Sequence, residues 1–223
     1  MTLFTSHSKI LKDVAKIFDF FDINYRIHRY KHLIVSPHYT RTRFEKLIDR
    51  EIEHALEGKK ANISLKMNSL SDYHMIDKLY DASRAGVKIR LIIRGICSLI
   101  PGVPGMSENI EAISIVDNYL EHSRVYIFGN NGDPEVYISS ADFMTRNLDG
   151  RVEVTCPIYD DEIKKELIDT FNIGWKGNVK VRIHSEKLDN QYRMRKDNPT
   201  FRAQLETYNY YRDKLTVIVD EEL

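Results

Sequence analysis
Asn62–Arg94 reads NISLKMNSLSDYHMIDKLYDASRAGVKIRLIIR. Ile63, Leu65 and Met67 alternate with Asn62, Ser64 and Lys66, the two-residue period of a strand with unlike faces. Asp72 then stands where a helix needs an N-cap, and Met75, Ile76, Leu79 and Ala82 recur at helical steps up to Ala85. Gly86 closes the helix, and Val87, Ile89, Leu91 and Ile93 resume the strand period up to Arg94. A strand–helix–strand run of this kind predicts a right-handed crossover and a parallel pair. The class is α/β.

Working outward, Ile10, Val14, Ile17, Phe18 and Phe21 form the stripe of an amphipathic helix over Lys9–Phe21. The basic run Arg26–His32 follows, then the short strand Leu33–Val35. Short charge runs of this kind read as solvated connectors, though this one is suited to touching an anionic polymer. A helix from about Thr40 to Glu57 carries Phe44, Leu47, Ile48, Ile52, Ala55 and Leu56 inward, with Gly58 as its stop. Past Gly95, Pro101, Gly102, Pro104 and Gly105 mark a shaped loop. Ile113–Val116, Arg124–Phe128, Glu135–Ser139 and Val152–Pro157 are strand-like, and Asn130–Asp133 suits a hairpin turn. Asp160 caps a helix with Ile163, Leu167, Phe171 and Trp175. Val179, Val181 and Ile183 make a further strand, and Glu186–Pro199 is polar and irregular. A last helix, striped by Phe201, Leu205, Tyr208 and Leu215, precedes an acidic tail.

The 223 residues carry 33 Lys+Arg against 33 Asp+Glu, so no globally basic surface exists to hold nucleic acid, and none is expected as a partner. Two cysteines, Cys97 and Cys156, cannot build a disulfide scaffold or a four-thiolate zinc site and read as buried thiols in a reducing compartment. No apolar run reaches the roughly 18 residues of a membrane span, and Met1–Phe20 lacks the parts of a secretory signal. These features give a cytoplasmic expectation, with peripheral association at the inner membrane face as its extension. No P-loop, HExxH, CxxC pair or GxSxG elbow occurs.

The chemistry-bearing residues cluster between Arg94 and Glu153. His122 lies just before the strand Val125–Phe128, two residues from Arg124. Neutral imidazole can attack phosphorus or, once protonated, give a proton to a leaving oxygen, while arginine holds phosphate oxygens in planar pairs of contacts. The plainer reading is a surface histidine bonded to Glu121. Ser139–Asn147, including Ser140 and Asn147, brings hydroxyl, amide and guanidinium donors to a strand end, where ligands gather in α/β sheets; a capped turn is the alternative. Arg151 and Glu153 share one face at strand spacing, either orienting an imidazole or forming an ordinary ion pair. Arg94 ends its strand before a glycine.

LIIRGICSLIPGVPGMSENI (Leu91–Ile110), SIVDNYLEHSRVYIFGNNGDPEVYISSADFMTRNLDGRVEV (Ser114–Val154) and RAQLETYNYY (Arg202–Tyr211) resemble the carboxyl-terminal part of the long, ATP-dependent bacterial polyphosphate kinases. The resemblance runs from about Ile10 to Leu215. It implies a phospholipase D-like mixed sheet flanked by helices, the second of two tandem catalytic domains. Residues 1–21 would then be the helix ending the preceding domain, 22–215 the second phospholipase D-like domain, and 216–223 the tail. It further implies reversible transfer of the ATP terminal phosphate to inorganic polyphosphate, with magnesium, through a phosphohistidine upstream of this chain. Arg94 and His122 match residues that contact ATP; His122 matches the partner histidine that assists proton transfer. Arg124 joins them as a phosphate ligand, Arg151 lines the same site, and Ser140, Asn147 and Glu153 support it. No residue is assigned as a metal ligand. The implied partners are ATP or ADP, polyphosphate, the upstream domains and further copies in the full-length enzyme, while this chain alone is expected to be inactive. Two alternatives stand beside this: a single-motif phospholipase D-like phosphodiesterase or nuclease that completes its site as a homodimer, and a non-enzymatic ATP or polyphosphate binding module.

Overall fold
A computed structural model describes residues 2–187, 189–193 and 199–221. Helix α1 (Ser8–Asp22) and strand β1 (Ile34–Val35) lead into α2 (Thr40–Leu56), β2 (Asn62–Met67), α3 (Tyr73–Arg84) and β3 (Lys88–Ile93). Then follow β4 (Ile110–Ile115), β5 (Arg124–Phe128), β6 (Glu135–Ser139), β7 (Val154–Ile158), α4 (Asp161–Lys176), β8 (Val181–Ile183) and α5 (Ala203–Glu221). The strands form one eight-stranded sheet in the order β1-β7-β6-β5-β2-β3-β4-β8.

The expected parallel pair is present: β2 and β3 run parallel in the register Leu65↔Leu91, and β3 pairs parallel with β4. On its other side β2 meets β5 antiparallel, and β6 and β7 continue antiparallel. The carboxyl ends of β2, β3 and β6 and the amino ends of β5 and β7 therefore share one sheet end. Asp72 caps α3 by accepting from Met75 N, and Asp160 caps α4 by accepting from Ile163 N. Gly86 turns the chain from α3 to β3 at a φ of +96°, a conformation that side chains with a Cβ resist.

Strand alternation divides the core. Ile89, Leu91 and Ile93 join Tyr126 and Phe128 beneath Phe44, Leu47 and Ile48 of α2 and Met75 and Leu79 of α3. Ile92, Val125 and Ile127 face Leu167 and Phe171 of α4 and Ala203 of α5. Ile10 and Ile17 of α1 pack with Leu33 and Val35 at the sheet edge.

Several expected stripes are rotated. On α1, Phe18 and Phe21 are exposed, and Asp13 and Phe20 are buried instead. Asp13 goes inward because its carboxylate accepts from the backbone N–H groups of Lys31, His32 and Leu33 at 2.8, 2.7 and 3.2 Å. Burial alone would raise its pKa; these bonds and Lys16 hold it below the ordinary value. Leu56 ends α2 in solvent. On α5, Leu205, Tyr208 and Leu215 are exposed; Ala203 is buried, and Thr207 and Tyr211 line a cavity. The backbone of α5 continues through Glu221, into the stretch read as an acidic tail, while Glu222 and Leu223 lie outside the described residues. So do residues 188 and 194–198 of the polar stretch Glu186–Pro199.

Candidate functional site
Three loops knit the site end of the sheet. Leu70, after β2, bridges Cys97 after β3 and Phe143 after β6. Leu70 N donates to Ile96 O at 2.8 Å, and Ser71 N and Asp72 N both donate to Phe143 O. Phe143 is fully buried and packs against Phe44 and Tyr126 with ring centroids 5.0 and 5.4 Å away. That anchor fixes the adjoining Asp142. Gly95 lets β3 end close to the β2 loop, because a Cβ there would stand 3.0 Å from Asn68 O.

From these ends a chain of polar contacts runs across the sheet. Arg124 Nε donates to Asp142 Oδ1 at 3.0 Å and its Nη2 to Oδ2 at 3.2 Å. Asp142 is buried and also accepts from Asn68 N at 2.8 Å. The Asn68 side-chain oxygen accepts from Arg94 Nε at 2.9 Å and from Arg94 Nη2. Arg94 Nη1 is buried with no hydrogen-bond partner. On the other side, Arg124 Nη2 lies 3.1 Å from His122 Nε2. A guanidinium can only donate, so Nε2 is the bare acceptor of a neutral ring. Partial burial, then the cations Arg124 and Arg94, push the His122 pKa below its ordinary 6.5, and Asp142 opposes them.

The structure thus brings His122, Arg124 and Arg94 together. Ser140, Asn147 and Glu153 form a second group: the Ser140 hydroxyl and the Asn147 side-chain N–H each donate to Glu153. Asn147 sits in a π-helical turn, Arg146–Gly150, with its side-chain oxygen buried and unpartnered. The Arg151–Glu153 pair does not form. Residues 151–153 precede β7, whose first residue is Val154, so strand spacing does not apply to them. Glu153 turns to Ser140 and Asn147, while Arg151 is exposed. Nor does Glu121 hold His122. It pairs with Lys66 Nζ and accepts from Gln204 Nε2.

Gln204 belongs to a clasp that isolated motifs did not reveal. Its amide accepts from Tyr119 N at 3.0 Å and donates to Tyr119 O at 2.8 Å, while Arg202 grips Asp117 at 2.6 and 2.8 Å. The start of α5 thereby holds the segment that leads to His122. A cavity of about 360 Å³ lies between this segment, Lys66, Phe171 and Tyr211. A second, also about 360 Å³, adjoins it at His122 and reaches Arg124, Ser140 and Cys156. Asn68, Asp142 and Gln204 were absent from the candidate residues, although Asp142 and Gln204 lie within the quoted motifs. Both thiols are half-buried, and burial pushes Cys97 and Cys156 up to about 11, away from reactivity at neutral pH.

Among the described residues no group of three or more His, Cys, Asp or Glu could hold a metal ion. Asp142, the carboxylate bonded to Arg124, is committed to Arg124 and Asn68. These residues do not fit a resident magnesium site. The arrangement can hold an anion between guanidinium groups and present an imidazole nitrogen to it.

Residues 33–204 match the family described as Polyphosphate kinase C-terminal domain 2. The polyphosphate kinase of Vibrio cholerae is 47% identical over 211 residues, covering 95% of this chain, and that of Escherichia coli K12 is 44% identical over 211 residues. This chain spans about 30% of the length of these curated relatives. The polyphosphate kinase structure from Porphyromonas gingivalis superposes with a TM-score of 0.89 at 42% identity, over 94% of this chain and 32% of that one. Nuc, a phospholipase D family member from Salmonella typhimurium, aligns with a TM-score of 0.49 at 15% identity.

Proposed function
The chain belongs to the polyphosphate kinase C-terminal domain 2 family, and on that premise we propose that it supplies one half of a polyphosphate kinase site. The reaction is reversible transfer of the ATP terminal phosphate to inorganic polyphosphate through a phosphohistidine provided by the remaining part of the full-length protein. In the forward direction the P–O bond to the terminal phosphate breaks and an N–P bond to that histidine forms. A terminal oxygen of polyphosphate then attacks phosphorus and releases the histidine, with ADP as the other product.

The observation that carries this reading is the convergence of Arg94, with its buried and unpartnered Nη1, on Arg124 and the neutral His122. Charge develops on the transferring phosphoryl group, and preorganised cations stabilise it without reorganising. Arg94 takes phosphate oxygens through its open Nη1, Arg124 adds the one Nη1 N–H left after its bonds to Asp142 and His122, and Arg151 meets the ligand from the rim. His122 has a further use. Its pKa is depressed partly by the same guanidinium groups. An incoming polyphosphate anion offsets that field, so ligand binding favours the protonated ring that can donate to a leaving oxygen. Ser140, Asn147 and Glu153 steady the loops beside it. Magnesium would arrive with the nucleotide and supply neutralisation of its phosphate charge. The full-length protein is expected to be cytoplasmic, at most peripheral to the inner membrane face, and homo-oligomeric. No helix among the described residues is long and apolar enough to cross a membrane.

The test is phosphate transfer from labelled ATP to polyphosphate, by this chain alone and mixed with the missing upstream part of a relative. Silence alone, activity on mixing, and a loss of about 10²–10⁴-fold in the mixture with His122→Ala are expected. Full activity of the His122→Ala mixture would overturn the role of His122, and turnover by the chain alone would overturn the half-site reading.

A further inference from the structure
The basic run Arg26–His32 has no part in the site at His122, yet the fold does not leave it as a loose connector. Asp13 accepts from three successive backbone N–H groups, those of Lys31, His32 and Leu33. The loop is thereby fixed against α1 before any ligand arrives. His32 Nδ1 is further tied to the Tyr159 hydroxyl at 2.7 Å. The pinned loop and the first two turns of α2 enclose a cavity of about 160 Å³, lined among others by Lys31, Tyr39, Thr42, Arg43 and Lys46.

Its cations have no carboxylate in contact. Lys31, Arg43 and Lys46 are exposed and form no ion pair among the described residues, and the acids whose field reaches the lining residue Tyr30 are paired with other groups, Asp13 with Lys16 and Asp19 with Arg26 and His28. Three of the four acids of α2 are engaged elsewhere: Glu45 with His74 and Asp49 with Lys78, both on α3. Glu51 is buried and accepts from Asn62 N and Asn130 N. Glu135, the acid of β6 whose field reaches Arg43, is paired with Arg50. Helix α2 therefore turns these three acids toward α3 and the sheet, carries the fourth, exposed Glu53, outside the lining of the cavity, and leaves two cations facing the basic loop.

We propose that this pocket is a second anion site, which holds a run of phosphates of the polyphosphate chain away from the reacting end. Its ligand rests on the function proposed above; its charge and geometry do not. Three cations from two separate elements suit a repeating anion, and a pinned loop loses little freedom when it binds. The cavity is below the 300–1,000 Å³ of pockets that enclose drug-sized ligands, so it favours a thin phosphate chain over a whole nucleotide.

The probe is long-chain sodium polyphosphate, titrated against this chain in an Arg94→Ala background that weakens the His122 site. Adding Lys31→Gln, Arg43→Gln and Lys46→Gln together should weaken binding by at least about tenfold and lower the slope of log affinity against log salt by about two to three. ATP affinity of the parent chain should be unchanged by the same three substitutions. Unaltered polyphosphate affinity in the triple variant would overturn the site. An equal loss of ATP affinity would make it a nucleotide-phosphate site, and displacement of polyphosphate by an equal charge concentration of single-stranded oligonucleotide would make it a nucleic-acid site; either also overturns the proposal. Failure of the kinase reading is distinguishable, since it appears as no transfer in the mixed assay whatever the pocket binds.

Discussion

The loop after β2 ends two arginine clusters that differ in what neutralises them. Asp72 receives Arg41, whose Nη1 and Nη2 donate at 2.6 and 2.8 Å, while Asp149 accepts from Nε at 3.1 Å. Asn68, four positions earlier, receives Arg94 with a neutral amide and leaves Nη1 unpartnered. Arg41 thus has two carboxylates and Arg94 has none in contact. The difference teaches what each cation is for. A guanidinium saturated by carboxylates joins elements: Arg41 ties α2 to the cap of α3 and to the π-helical turn that carries Asn147. One held by an amide is oriented while its charge remains available to an anion.

Substitution can break this contrast. Arg94→Ala should weaken ATP binding to the chain by about 1.5–3 kcal/mol, the worth of one charge-assisted contact, with little change in stability. Calorimetric titration with ATP and denaturant unfolding of the same variant check both halves. Arg41→Ala should do the reverse and destabilise the fold by about 1–2 kcal/mol, less than the loss of a fully buried pair because Arg41 is partly exposed. Its pH dependence sharpens the point. Burial would raise the Asp72 carboxyl, but Arg41, Met75 N and Thr145 hold it down to about 2 from 3.8. A depressed carboxyl stabilises the fold above its unfolded pKa. The parent should therefore lose that increment as pH falls from about 4 toward 2, and the gap to Arg41→Ala should narrow over the same range in acid unfolding curves.

The two clusters were also unequally legible. Arg94, His122 and Arg124 stand out because each adjoins the end of a strand that alternation reveals. The parallel β2–β3 pair and both Asp caps were visible for the same reason, being fixed by short-range periodicity and capping. Arg41 and Asp149 were not, since their bonds join positions 108 residues apart. Asp142 lay inside a quoted motif, but its bond to Asn68 depends on how two loops meet. The partners of Arg151 and Glu153 were not legible, because these residues follow a π-helical turn and precede β7, where strand spacing does not hold. On α1 and α5 the apolar period correctly marks helices but not which side the sheet covers: Phe18 and Tyr208 fit the helical spacing and face solvent.

Titration of the His122 ring by NMR, with and without ATP, tests the central claim most directly. In the free chain its midpoint should fall below 6.5, since partial burial, Arg124 and Arg94 all disfavour the imidazolium. Arg94→Ala should raise the midpoint, and saturating ATP should raise it further in the parent by bringing negative charge to the same guanidinium groups. A midpoint that neither ATP nor Arg94→Ala moves would contradict the account, because His122 would then share no field with a phosphate site.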